Sequence, residues 1–343
     1  MLRLTPRPFS RFFCKNSPRV RVSDNLKDYE VFINPPSRLV DIYMQEHGNS
    51  RHDFKRKDIA TWQAAWGDRY RFGLIFPRGT DELAFCFHTI QYKFLGYQPD
   101  FQHLGMAWIP EKFRGREILK VVTRYLIEEE KMKEKNMLAC NVFWSQNFWK
   151  QATGNGDIGS CTYYISYYEM EEFQVMNIKE DGVSVKEVNK NTISDALAYD
   201  KLVFPFSRES FIRGIFDEGI TRIAYDSNGK VVGFGCLSIY PSGECVISPL
   251  YADNEKVAQR IFMSILKEVL EVNEQKRGKD KLWRMQIRSN DQCRSSYEWI
   301  EPFLKCPSRR VHLSNLCYSI YPPKHVFDFS KVFVNCHPTN GPC

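Results

Sequence analysis

Apolar positions along this chain switch repeatedly between two-residue alternation and helical spacing, and the switches outline strands and helices in a recurring order. Residues 29–36 read as a short strand closed by Pro35 and Pro36. Residues 38–46 place Leu39, Ile42 and Tyr43 on one side of a short helix, and 57–66 bring Ile59, Trp62 and Trp66 together at helical spacing before Gly67. Strands are expected at 71–76 and 83–93, on either side of the turn residues Pro77, Arg78, Gly79, Thr80 and Asp81. In 104–126, Leu104, Met106, Trp108 and Ile109 make an apolar strand run and Pro110 ends it, after which Ile118, Val121, Val122, Tyr125 and Leu126 recur as one helix face. A fifth strand at 137–144, a brief helix at 147–152 and a sixth strand at 161–170 follow.

From about residue 173 the order starts again. The pattern predicts a strand at 183–188, helices at 193–199 and 208–217, and strands at 221–224, 231–239 and 244–250. Next comes a helix with paired apolar positions Val257/Ala258, Ile261/Phe262, Ile265/Leu266 and Val269/Leu270, then a strand at 282–287, a helix around 294–303 and a strand at 311–320. The two series repeat at about 140 residues, a spacing that suits a duplicated domain rather than a solenoid. In each, strand, turn, long helix and strand form a parallel crossover, while the short turns before it make the earlier strands antiparallel. The fold class expected is therefore α/β in the mixed, α+β sense: two domains, 27–172 and 173–322, each a mixed, mostly antiparallel sheet flanked by helices. The tail, 323–343, is expected to be irregular.

Composition narrows the function. A chain of 343 residues with 43% hydrophobic and 14% aromatic residues can fill two cores. Its net charge of +7 favours anionic ligands, but acids and bases alternate along most of the chain, so no nucleic-acid partner is expected. No apolar run nears the ~18 residues of a membrane span, and no membrane partner is expected. The 11 cysteines stand singly, as in a reduced, intracellular protein, and no Cys or His pair has the spacing of a metal site. Residues 1–26 hold Arg3, Arg7, Arg11, Lys15, Arg19 and Arg21 with no acid before Asp24, which fits either a mitochondrial transit peptide or a basic arm on a cytoplasmic protein.

The chemistry is concentrated after the fourth strand. Phe113, Arg114, Gly115 and Arg116 place free main-chain N–H groups and two guanidinium groups at the N-terminus of the next helix, where a phosphate is stabilised. Together with the element order, this stretch resembles the GNAT superfamily of acetyl-CoA-dependent N-acetyltransferases. Family members carry Gln/Arg-x-x-Gly-x-Gly/Ala after a strand ending in x-Pro. Here Pro110, Arg114, Gly115 and Ile118 fit, Lys112 keeps the charge of its position, and Glu117 stands where the pattern has Gly or Ala. The resemblance implies that Trp108, Ile109, Lys112, Phe113, Arg114, Gly115, Arg116, Glu117 and Ile118 hold acetyl-CoA. Residues 247–254 resemble the corresponding turn of a companion acetyltransferase-like domain, which adds Asp253 and Asn254 to the coenzyme-binding candidates; helix capping accounts for that turn equally well.

Three side chains are candidates for proton transfer. Family members place a tyrosine after an Asn-x-x-Ala motif to protonate the departing thiolate; here Asn290, Cys293 and Tyr297 have that spacing, and Tyr297 is either this acid or an aromatic packed beside Trp299 and Phe303. Aminolysis also needs a base, because a protonated amine cannot attack. His103, at the start of the fourth strand, and Glu244, at the equivalent strand start of the second half, are placed for it, each with a solvated strand end as the plain alternative. The resemblance implies an N-acyltransferase acting on a small-molecule or peptide amine. The alternative is a non-catalytic GNAT-like binding, interaction or sensing protein.

Overall fold

A computed structural model of the chain describes residues 19–20, 28–46, 55–92, 100–113, 134–142, 158–176, 178, 182–205, 208–293, 297–306, 311–318 and 328–336. The first half contains β1 (Arg19–Val20), β2 (Tyr29–Ile33), α1 (Ser37–Glu46), α2 (Arg56–Trp66), β3 (Tyr70–Pro77), β4 (Phe85–Tyr92), β5 (Phe101–Trp108), β6 (Asn136–Val142) and β7 (Ile158–Glu169). Strands β1 to β5 form an antiparallel ladder, and β6 then joins β5 in parallel. A parallel partner needs a crossover; the helix expected at 118–126 lies outside the described residues, as does the one at 147–152.

The second half repeats the plan with β8 (Ser184–Glu187), α3 (Ile193–Val203), α4 (Glu209–Phe216), β9 (Ile220–Tyr225), β10 (Val231–Ile239), β11 (Glu244–Ala252), α5 (Glu255–Gln275), β12 (Arg284–Asn290) and β13 (Val311–Tyr318). Here the crossover is visible. Helix α5 runs 21 residues and buries Val257, Ala258, Ile261, Phe262, Ile265, Leu266 and Val269, nearly the whole stripe anticipated from the apolar pairs. Each fully buried aliphatic or aromatic side chain in that stripe contributes about 1.5–3 kcal/mol.

The expected mixed sheets are present, but they are not separate. Strand β13 of the second half lies between β6 and β7 of the first, and β7 pairs in turn with β12 of the second. Each half has thus given its last strand to the other, and the sheet runs unbroken as β1-β2-β3-β4-β5-β6-β13-β7-β12-β11-β10-β9-β8. The joins are extensive: Gln286 faces Tyr167 and Asn290 faces Tyr163 across β12 and β7, and Val142 faces Ser314 across β6 and β13.

On one face of the sheet, α1 to α4 cover a core shared by both halves, in which Tyr43, Trp62 and Trp66 meet Phe72, Phe211, Phe234 and Tyr251. Helix α2 packs directly on α4, with Trp66 and Phe211 4.9 Å apart. Gly214 permits the approach, since a Cβ there would fall 2.0 Å from Thr61 Cγ2. On the other face α5 covers a second core with Ile247, Met285, Ile287, Trp299 and Phe303.

Two expectations are corrected. The helix around 294–303 is a 3₁₀ turn at Glu298–Phe303, with Pro302 inside it removing a main-chain donor. The tail is not irregular throughout: Phe329–Lys331 form a 3₁₀ turn and Val332–Val334 form β14, which pairs with β11. Three residues are too few to show a period, which is why alternation gave no sign of it. Arg19 and Val20, within the expected basic arm, pair with Phe32 and Val31. Among the described residues, no helix is long and apolar enough to cross a membrane.

Candidate functional site

Each half opens into a wedge where its parallel pair stops pairing. In the first half β5 and β6 are joined only from Phe101↔Asn136 to Leu104↔Ala139, although β5 continues to Trp108 and β6 to Val142. Beyond Leu104 each strand is paired on its far side alone among the described residues, β5 with β4 and β6 with β13. The lip of β5 also carries a bulge: Thr89 faces Leu104 and His88 faces Met106, which leaves Gly105 without an opposite residue. Only glycine fits there, because a Cβ would lie 2.0 Å from His88 Nε2. A lone glycine inside a strand pattern was the available signal for this feature.

The described part of the predicted phosphate turn follows this lip. Trp108 and Ile109 are half-buried and Phe113 is buried. Glu111–Phe113 form a 3₁₀ turn closed by Phe113 N–H donating to Pro110 O at 2.9 Å. Lys112 forms an ion pair with Glu82, and its ammonium lies 5.4 Å from the Phe113 ring centre. Arg114, Gly115, Arg116, Glu117 and Ile118 lie outside the described residues.

His103 is not at a solvated strand end. It is 1% exposed, and burial lowers its pKa to about 3. Burial, and then the neighbouring His103, also push His88 well below the ordinary histidine value. Both face the core under α2, where His88 lies 5.0 Å from Trp62 and 5.8 Å from Tyr70, ring centre to ring centre. Nearby, burial raises Asp58, in the first turn of α2, to about 7, even though its carboxylate accepts the Lys55 N–H at 2.7 Å. No pattern in the sequence marked Asp58 or His88.

The second wedge lies between β11 and β12, which pair only from Glu244↔Arg284 to Val246↔Gln286. Glu244 stands at its closed end, buried and ion-paired with Arg284, whose guanidinium is 4.2 Å from the Trp283 ring and 4.6 Å from the Tyr167 ring. Asp253 follows the other end of β11, nine residues or about 30 Å of extended chain away, so the structure does not bring these two candidates together. Asp253 accepts from Tyr199 Oη at 2.8 Å and from Lys331 Nζ at 3.0 Å. Asn254 caps α5, its side chain accepting Val257 N–H at 3.1 Å, as the capping account of this turn requires. Tyr297 sits at the start of the 3₁₀ turn, half-buried, with its ring edge-on to Tyr164 at 5.2 Å.

Two sequence families match the chain. The model described as "Protein of unknown function (DUF1248)" matches residues 26–203. The chain belongs to that family. Its match spans the whole first half, whereas the model described as "Acetyltransferase (GNAT) domain" matches residues 196–275, from α3 through α5. No curated protein matches. Among solved structures, a putative acetyltransferase from Pyrococcus horikoshii superposes with a TM-score of 0.60 at 16% identity, covering 94% of this chain and 100% of that one. A tandem GNAT protein from the clavulanic acid biosynthesis pathway gives 0.57 at 8% identity, covering 84% and 98%. Saccharomyces cerevisiae N-myristoyltransferase with bound myristoyl-CoA gives 0.56 at 10% identity, covering 91% and 85%. The DUF1248 chain therefore has a tandem GNAT fold, with both halves present.

Proposed function

We propose that this protein is an acyl-CoA-dependent N-acyltransferase that takes an acetyl group from acetyl-CoA to an amine on a small molecule or peptide, with the coenzyme held by the first half. The observation that carries this reading is the first wedge: a parallel pair that parts after four residues, with a bulged lip, immediately ahead of the 112–118 turn. The pantetheine arm of the coenzyme is an extended chain with two amides, and the lip of β5, which parts from β6 after Leu104, offers it strand-like hydrogen bonds. The diphosphate lies on the amides and guanidinium groups of Arg114, Gly115 and Arg116.

In the reaction the neutral amine attacks the thioester carbonyl, the C–S bond breaks, the thiolate takes up a proton and the amine nitrogen loses one. The main chain around Gly105, taken out of the ladder by the bulge, supplies an N–H to the oxyanion of the tetrahedral intermediate. His103 has too low a pKa to draw a proton from an ammonium at neutral pH, so the amine must arrive neutral or lose its proton to water. Glu244, ion-paired with Arg284, and Tyr297, edge-on to Tyr164, belong to the second half.

Calorimetric titration with acetyl-CoA tests the coenzyme site. The unsubstituted chain is expected to bind, and the Arg114→Glu, Gly115→Asp double variant to lose binding; equal or undetectable binding by both proteins would sink the assignment. Since the S. cerevisiae relative holds myristoyl-CoA, that coenzyme is the second ligand of the titration, and the tighter of the two defines the acyl class. A second reading, coenzyme binding without turnover, is favoured by the low pKa of His103. Thiol release across a panel of amines separates the two: turnover supports the enzyme, and binding with no release from any amine supports the sensor.

A further inference from the structure

The second wedge is filled by the chain itself. Strand β14 lies antiparallel on the β11 lip, with Val332 facing Tyr251 and Val334 facing Leu250. It also reaches the opposite lip: Asn290 Nδ2 donates to Val332 O at 2.9 Å and to Asn335 Oδ1 at 3.2 Å, and Asn335 N–H donates to Arg288 O at 2.8 Å. Residues Val332 to Cys336 are all buried. At one end Asp328 N–H donates to Val203 O at 3.2 Å and Lys331 holds Asp253. At the other, Arg208 Nη1 lies 3.7 Å from Cys336 Sγ, with Tyr251 Oη 3.4 Å from the same sulfur. Arg208 is itself fixed by two bonds to Asp200, of 2.9 and 2.5 Å.

These contacts use the groups that a coenzyme would need. The main-chain groups of Leu250 and Tyr251 are engaged by a peptide strand where a pantetheine arm would lie. At the start of α5, Asn254 has already taken one N–H, and a diphosphate would meet the Asp253 carboxylate after displacing Lys331. Asn290, part of the motif that pointed to Tyr297, spends its amide on β14.

We infer that residues 328–336 are a built-in occupant of the second wedge, standing where a coenzyme arm would run, and that the chain loads a single coenzyme, in the first half. The stoichiometry rests on the coenzyme reading given above; the occupancy does not, so the two are measured separately. Hydrogen exchange on the full chain without ligand is expected to show 328–336 exchanging about a hundredfold or more slower than an unstructured peptide of that sequence, as β11 does. Exchange as fast as the free peptide overturns the occupant. Native mass spectrometry with acetyl-CoA is expected to show one coenzyme per chain, with new exchange protection over 101–108 and 136–142. Two coenzymes, or protection gained over 244–252 and 284–290, overturns the inference. A Val332→Pro, Val334→Pro variant, which takes two main-chain donors out of β14, is expected to lose protection across 328–336 while 101–108 keeps its own; retained protection across 328–336 also overturns it. Absence of any bound coenzyme removes the coenzyme reading and the single-load claim together, and leaves the occupant to be judged by exchange.

Discussion

The two wedges of this molecule are built from equivalent strands and have different rims. In the first, β5 is bulged at Gly105 and runs into the 3₁₀ turn Glu111–Phe113; in the second, β11 leads into a turn whose aspartate is neutralised by a lysine from the tail. The difference teaches that a repeated fold keeps its opening even where a strand of the chain itself enters it, because the sheet geometry that splays a parallel pair does not depend on what fills the gap. A gap lined by unpaired main-chain groups must be satisfied by something. The second half satisfies its own with three residues of strand.

The sharpest way to break the comparison is to attack the anchor of the tail. Arg208→Ala leaves Asp200 buried without its cation and is expected to cost about 3–5 kcal/mol in chemical denaturation. A loss under about 1 kcal/mol would mean that the second wedge is held elsewhere. Arg208→Met with Asp200→Leu removes both charges and is expected to recover much of that loss.

Next in size is the bulge of the first wedge. Gly105→Ala drives a methyl into the His88 ring and is expected to cost about 1–3 kcal/mol. The same substitution in a His88→Ala background should cost clearly less, and strictly additive costs would disprove the contact.

The smallest effect, per pH unit, separates the halves by acid. His103 has a pKa of about 3 in the fold against 6.5 when free, so below pH 6.5 the unfolded chain binds a proton that the folded one refuses. Its contribution is complete above 6.5 and is lost at about 1.4 kcal/mol per pH unit down toward 3. His88 acts in the same direction. Asp58, raised to about 7, acts in the opposite direction, gaining stability as pH falls from 7 to its free value of 3.8. The comparison is therefore between the unsubstituted chain and His103→Leu at pH 7 and pH 5: the variant should lose less stability between the two, and parallel slopes would refute the buried, neutral imidazole.

Much of the fold could be read from residue patterns, and the reasons are local. The α5 stripe and the turn residues between β3 and β4 are set by side-chain period and turn chemistry, which need no partner. The acid-base candidates were harder, because a histidine or glutamate at a strand start looks the same in sequence whether it meets water or a core. His103 meets Tyr92 and the core under α2, and Glu244 meets Arg284 from a strand 40 residues later.

By itself the sequence determined the repeated order of elements and the α5 crossover of the second half, since each follows from spacing along one stretch of chain. Only the tertiary structure decided that the halves exchange their last strands, that His88 and His103 stay unprotonated in the core of the first half, and that β14 closes the second wedge. Those outcomes depend on which strand edges lie side by side, and edge groups bond through main-chain atoms that every residue shares, so no residue type announces them in advance.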